Sequence, residues 1–283
     1  MRMMFLNNTY NEFIKIAAKP RSYIGLIALS VLIGVIIFAM KADGSTYISF
    51  VTASFEQTLS FSGEIMNGNL IAFIILQMLI VHIPLLVALV TGDLISGEAN
   101  MGTIRMLASK PISRTQIVLS KFLAGALYTL LLTMWLGFLS LYVARWIFGT
   151  GDLMVLTSDG LIIHPESDVE WRYIYGFLTA YLSLLTVSTL SICLSAFAEN
   201  SIGPIVTTMA IIILFTIIGS MDVTVFDSIK PYLFTTHMAA WRSYFEDPVP
   251  WDAINESIRI LIYHNVILVA IALFQFNRKD ITS

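Results

Sequence analysis

Apolar residues fill six long runs of this chain, separated by shorter polar stretches. A helix needs about 20 mostly apolar residues to cross a bilayer. Ser22–Met40, Asn69–Val90, Gln116–Ile147, Tyr173–Ala198, Ile202–Met221 and Ser257–Phe276 approach or exceed that length. The third run is long enough to tilt or to project beyond the bilayer. Only Glu199-Asn200-Ser201 separates the fourth run from the fifth, which predicts a tight helix–helix turn closed by Gly203-Pro204. The pattern predicts an all-α polytopic membrane protein, a single domain over residues 1–283 with six transmembrane helices. The first run has no small-residue cleavage site before Lys41 and reads as an uncleaved span.

Ahead of that run, Phe5, Leu6, Phe13, Ile14 and Ala17 alternate with Asn7, Asn8, Asn11, Glu12 and Lys15. Leu6 and Tyr10 are four apart, as are Phe13 and Ala17, so one helical face can be apolar. This predicts an interfacial helix along the inner leaflet, turned into the first span at Lys19-Pro20; a frayed terminus is the alternative. Three outer loops remain, at 41–68, 148–172 and 222–256. The third is rich in aromatic and proline residues, which predicts short helices on or in the headgroup layer.

Composition fits a bilayer as solvent. The 283 residues are 57% hydrophobic and 12% charged, with mean hydropathy +0.81. Soluble domains carry about 25% charged residues. A net charge of -3 gives no reason to expect nucleic acid. Cys193 is alone, which excludes an internal disulfide and a cysteine metal cluster. His82, His164, His237 and His264 show no ligand spacing. With the N-terminus inside, ten of the 16 Lys and Arg residues fall on the cytoplasmic side, so both termini are expected in the cytoplasm of a multi-pass cell-membrane protein, as in a bacterial cytoplasmic membrane.

The span interiors contain no Asp, Glu, Lys or Arg, where a proton- or sodium-coupled transporter would keep an ionisable group. Arg145 and Arg259 sit near outer ends, within snorkelling reach, and Lys121 near an inner end. There is no His-Glu-x-x-His, no Gly-x-Ser-x-Gly and no phosphate-loop motif. No enzymatic activity, metal or cofactor is expected of this chain, and energy for uphill movement would come from another polypeptide.

Three constellations stand out. In the polar segment after the second run, Leu94, Ile95, Ala99, Met101, Ile104, Met106 and Leu107 alternate with Asp93, Ser96, Glu98, Asn100 and Arg105. Asp93 suits an N-cap or first-turn acid. Gly97 and Gly102 favour close packing or a break into two pieces. Pro111 ends the segment, and Ser113 or Thr115 can cap the next helix. Charge and amphipathicity alone suit a solvated loop equally well. The fourth run carries Thr179, Ser183, Thr186, Ser188, Thr189, Ser191 and Ser195, a set suited to close helix packing or to a polar substrate path. The second run holds Gln77, His82 and Pro84, either a kinked cavity-facing helix or a histidine satisfied by neighbours.

Gly92-Asp93-x-x-Ser96-Gly97-Glu98-x-x-x-Gly102-Thr103-x-x-x-Leu107-x-Ser109-x-Pro111-Ile112-Ser113-Arg114, with Leu119-Ser120-Lys121-Phe122 beyond it, resembles the signature of ABC transporter permeases of the ABC-2 type. The C-terminal Phe276-Asn277-Arg278-Lys279-Asp280-Ile281 and the six-span layout resemble the same family. The resemblance implies that 93–107 is a coupling helix seated in a separate ABC ATP-binding subunit, which holds the ATP and Mg. It implies polar contacts from Asp93, Glu98 and Arg105, packing by Leu94, Ile95 and Ile104, a turn at Gly102-Thr103, and a smaller contact from Glu199 and Asn200. It also implies a second six-span permease as partner, identical or homologous, with membrane lipid around both and a pathway between them formed by the second and fifth spans. Gln77, His82, Ser188, Ser191 and Ser195 are the expected path residues. The cargo expected is amphiphilic, lipid-like or a peptide, and the direction export. A non-transporting regulatory or structural protein that senses envelope stress is the competing reading.

Overall fold

The computed structural model describes residues 2–52, 66–80, 82–103, 112–157 and 160–279. Helix α1 covers Arg2–Ala18, α2 Pro20–Thr52, α3 Gly68–Leu79, α4 Ile83–Thr91 and α5 Ser96–Asn100. Helix α6 runs over Arg114–Phe148, with one π-helical stretch at Phe138–Val143. The hairpin strands β1 (Leu153–Thr157) and β2 (Gly160–His164) follow. Then come α7 (Glu166–Phe197), α8 (Ile202–Ser220), α9 (Thr224–Asp227), α10 (Phe234–His237) and α11 (Trp251–Arg278). Six helical stretches are long and apolar enough to cross a membrane: Pro20–Gly44, Ile83–Asn100, Arg114–Phe148, Glu166–Phe197, Ile202–Ser220 and Trp251–Arg278. The chain is a multi-pass membrane protein, all-α apart from the hairpin.

The second span is not the single helix expected over Asn69–Val90. It divides into α3, an apolar helix of 12 residues, and α4, which opens the apolar stretch Ile83–Asn100 counted above. Pro84 explains the break. It lacks an N–H, and its ring excludes the carbonyl of Ile80 from a regular helix. Helix α3 therefore ends at Leu79, whose carbonyl accepts from the His82 amide at 2.8 Å, and α4 restarts with Pro84 in its first turn.

Other departures lie at the ends. The first span's helix continues past Met40 to Thr52 through a non-helical Asp43. The expected loop at 148–172 contains the antiparallel hairpin, with Leu153 facing His164 and Val155 facing Ile162. The expected loop at 222–256 does form short helices, including 3-10 turns at Lys230–Tyr232 and Met238–Phe245. Trp241, Tyr244 and Phe245 are buried, however, and pack inward, Phe245 against Phe73 and Tyr173, rather than lying in a headgroup layer.

Both the start and the end of the chain meet the beginning of α6. Helix α1 packs along it, and Arg114 donates to the carbonyls of Asn277 (3.0 Å) and Lys279 (2.7 Å) beyond α11. That is the basic end of the bundle. The hairpin marks the opposite end, where Asn67 and Asn69 donate to Asp152 O and Gly151 O at 2.7 and 2.6 Å. Arg145 does not snorkel there: it donates to Asn69 Oδ1 at 2.7 Å and pairs with Glu170. Between spans four and six, Asn265 donates to Thr186 Oγ1 at 2.7 Å and accepts from Thr189 Oγ1 at 2.6 Å. Two of the hydroxyls noted in the fourth run therefore join helices.

Candidate functional site

The basic end is held together by charge. On α1, Asn8, Glu12 and Ile16 repeat at four-residue spacing and are buried against α6, so this helix turns a polar stripe inward. Asn8 donates to Ser120 Oγ at 2.6 Å. One turn along, Glu12 receives Lys15 on one carboxylate oxygen (2.6 Å) and Lys121 on the other (2.7 Å). Glu98 of α5 completes the arrangement, 2.7 Å from Lys15 and 2.8 Å from Lys121. Two carboxylates and two ammonium groups thus alternate around a closed square joining α1, α5 and α6. Lys121, expected near the membrane edge, is fully buried.

Burying an ion costs several kcal/mol unless an opposite charge and hydrogen bonds compensate. Here each charge touches two of opposite sign. Partial burial pulls the Lys15 ammonium down, but Glu12 and Glu98 outweigh it and hold the group above its ordinary 10.5.

A second cluster lies beside the first. Asp93 receives Lys19 at 2.7 Å, Arg21 at 2.9 Å and the Ser201 hydroxyl. It is not a helix cap: the α5 cap position is Ile95, without a side-chain bond, and the Ile95 and Ser96 amides donate instead to Ser195 Oγ at 3.3 and 2.8 Å. Ser195 in turn donates to Gly92 O at 2.7 Å. Gly97 is required because a Cβ there would overlap the Asp93 carboxylate. Ser113 does cap α6, reciprocally with Gln116. Lys279 donates to Ala196 O and Ala198 O at the end of α7. Under this layer lies an apolar patch that includes Ile16, Val90, Leu94, Ile95, Ile117 and Phe276.

The expected docking residues divide into two groups. Asp93, Leu94, Ile95 and Glu98 are buried, at 3%, 6%, 0% and 6% exposure, and pack against the chain's own helices. Asn100, Met101, Gly102 and Thr103 are exposed; α5 ends at Asn100, and Gly102 takes a left-handed φ of 69°. The helix expected to 107 is described only to Asn100 with its following turn, and Ile104 and Arg105 lie outside the described residues. Glu199 and Asn200 are exposed next to Ser201, so the two predicted contact segments meet at the Asp93–Ser201 bond.

The expected path residues divide as well. Ser188, Ser191 and Ser195 are buried within the bundle and line no open path. Ser191 donates to Ala88 O at 3.4 Å, a packing role between α7 and α4. Gln77 and His82 lie on the exposed side of the second span, with His82 Nδ1 3.1 Å from Met78 O.

Sequence reasoning passed over Glu12, Lys15, Lys19, Arg21 and Ser201 as site residues. The available signal was Lys121, already inside the third apolar run. The layer holds no metal-ligating group of three or more His, Cys, Asp or Glu among the described residues. Its chemistry is mechanical: it fixes residues 92–98 rigidly to three helices and leaves 100–103 projecting.

One relative is the uncharacterized protein YhcI of Bacillus subtilis (strain 168), 31% identical over 118 residues. That match spans 40% of this chain and 37% of the relative's length. Residues 27–282 match the family model described as "Protein of unknown function (DUF2705)", nearly the whole chain, and the chain belongs to that family.

Proposed function

We propose that this chain is the membrane-spanning permease subunit of an ATP-driven transporter of the ABC-2 type, working with a separate ATP-binding subunit. The observation that carries this reading is the ionic layer. The segment after the second span is clamped to α1 and α6 by Glu98, and to residues 19–21 and the α7–α8 turn by Asp93. Its tip, Asn100–Thr103, is left uncovered, with Met101 60% exposed. A partner pressing on that tip would move three helices together. Met101 offers a soft apolar contact of the kind found at protein interfaces.

The orientation follows from charge: the basic end faces the cytoplasm, with both termini. Two copies, or one copy and a homologue, would cover the Gln77–His82 side, since exposed polar groups in hydrocarbon are costly. The cargo is amphiphilic and the direction export.

Co-purification tests this. The full chain expressed with its chromosomal neighbours should retain a phosphate-loop ATPase whose hydrolysis depends on the chain. Met101→Glu should abolish retention while leaving thermal unfolding nearly unchanged, because that side chain is 60% exposed. An ATPase retained and stimulated equally by Met101→Glu, or a purified chain that moves cargo alone, overturns the assignment. Maleimide labelling of Thr103→Cys from outside intact cells would overturn the orientation.

A further inference from the structure

The hairpin end holds a cavity of about 690 Å³ bounded by α3, the two strands and the Met238–Phe245 turn. Arg242, Glu246 and Asp247 line it together with Phe73, Gln77 and Val155. Among the described residues the three charged side chains form no ion pair within 4 Å. Elsewhere at this end Arg145 pairs with Glu170 and Arg172 with Asp168. Arg242 lies over the Trp241 ring, 5.6 Å from its centroid, and Asp247 acts on the His164 ring at longer range. A cation and two carboxylates therefore share one cavity without neutralising one another.

Their scaffold is rigid. Arg172 donates from behind to Tyr244 O (2.5 Å) and Glu246 O (3.2 Å), and His164 Nε2 lies 3.0 Å from Phe245 O. The wall below is aromatic, with Phe73 5.2 Å from Phe245 and 5.7 Å from Trp241 between ring centroids. The backbone at 244–246 is thus fixed, and the exposed side chains of Arg242, Glu246 and Asp247 are open to an external ligand. The apolar lining comes from Phe73 of α3 and from Val155, Leu156, Leu161 and Ile162 of the hairpin.

We propose that this cavity binds a zwitterionic lipid of the phosphoethanolamine type. The phosphate meets Arg242, the ammonium meets Glu246 and Asp247, and the chain lies against Leu156, Leu161 and Ile162 of the hairpin. An anionic lipid satisfies only Arg242 and is repelled by the two carboxylates. The site lies at the opposite end from the ionic layer and does not depend on coupling to an ATPase.

Native mass spectrometry of the full chain released from detergent, with phosphatidylethanolamine, phosphatidylglycerol and phosphatidylcholine offered in equal amounts, tests this. One preferred charge-assisted contact predicts about a fivefold excess of phosphatidylethanolamine adduct. Arg242→Gln, and Glu246→Gln with Asp247→Asn, should each remove the excess, while Arg242→Lys keeps it. Matching thermal unfolding of all variants shows that the fold is intact. Equal or greater binding of phosphatidylglycerol, or an excess that survives both charge-removing variants, overturns the proposal. Competition by free phosphoethanolamine as effective as by the whole lipid overturns the lipid assignment and leaves a site for soluble zwitterions.

Discussion

Replacing Lys121 by Met is the sharpest test of the ionic square. The ammonium is 1% exposed and lies 2.7 Å from Glu12 and 2.8 Å from Glu98. With an effective dielectric near 20, each contact is worth about 6 kcal/mol before desolvation is counted. Returning the lysine to water recovers several kcal/mol, but the variant leaves two buried carboxylates sharing Lys15 alone. Removing one member of a buried ion pair costs about 3–5 kcal/mol. At roughly 2–4 °C per kcal/mol for a chain of this size, the apparent Tm should fall by about 6–20 °C. The assay is intrinsic-fluorescence unfolding in one detergent at one scan rate. Lys15→Met is the control: its side chain is 46% exposed, and exposed pairs contribute about 1 kcal/mol or less. Adding Glu12→Gln and Glu98→Gln to Lys121→Met should restore most of the loss, because no uncompensated buried charge remains. If Lys121→Met costs no more than Lys15→Met, or the triple variant is worse than the single, the square does not hold this end together.

Gly97→Ala should displace the Asp93 carboxylate, at about 1–3 kcal/mol, and open residues 93–103 to limited proteolysis; an unchanged digestion pattern refutes the close approach. Asn265→Leu should cost about 1–2 kcal/mol, near 0.6 for each hydrogen bond across the bilayer, and Thr186→Val with Thr189→Val in that background should add little, read as a double-mutant cycle in Tm. His164 gives a pH dependence. Burial, with Arg172 nearby, holds its ring below the ordinary 6.5, against the pull of the Phe245 carbonyl and of Asp168 and Asp247. The unfolded chain therefore binds the proton first, so stability is full above pH 6.5 and declines as pH falls from there towards the lower folded value. His164→Gln should flatten the Tm–pH curve over that interval.

The spans were legible because long apolar runs have one physical solution in lipid, a helix with its backbone bonds satisfied internally. Pro84 marked the place where the second span breaks, though local pattern left open how far the halves would separate. The hairpin was also within reach: Leu153–Thr157 and Gly160–His164 are β-branched and aliphatic runs around Ser158-Asp159-Gly160, a turn signal outweighed by the apolar runs on either side. The ionic square was not legible. Glu12 and Lys121 are 109 residues apart, and periodicity reports which face of a helix is polar, never which distant face it meets. For the same reason a single Asn265 in an apolar run gave no sign of its two partners on α7.

The interruption at residues 80–82 changes what the second span can do. Its two halves have different neighbours: α3 packs on the π-helical stretch and the last turns of α6, whereas α4 lies against α7 and α8. A straight rod would carry a push from end to end along its own axis. Here the axis is jointed, so a displacement entering at the basic end would pass sideways into α7, a long helix that touches α4 below and the Met238–Phe245 turn above. The relay between the two ends is thus the fourth crossing, and stiffness along Glu166–Phe197 sets how faithfully one end follows the other.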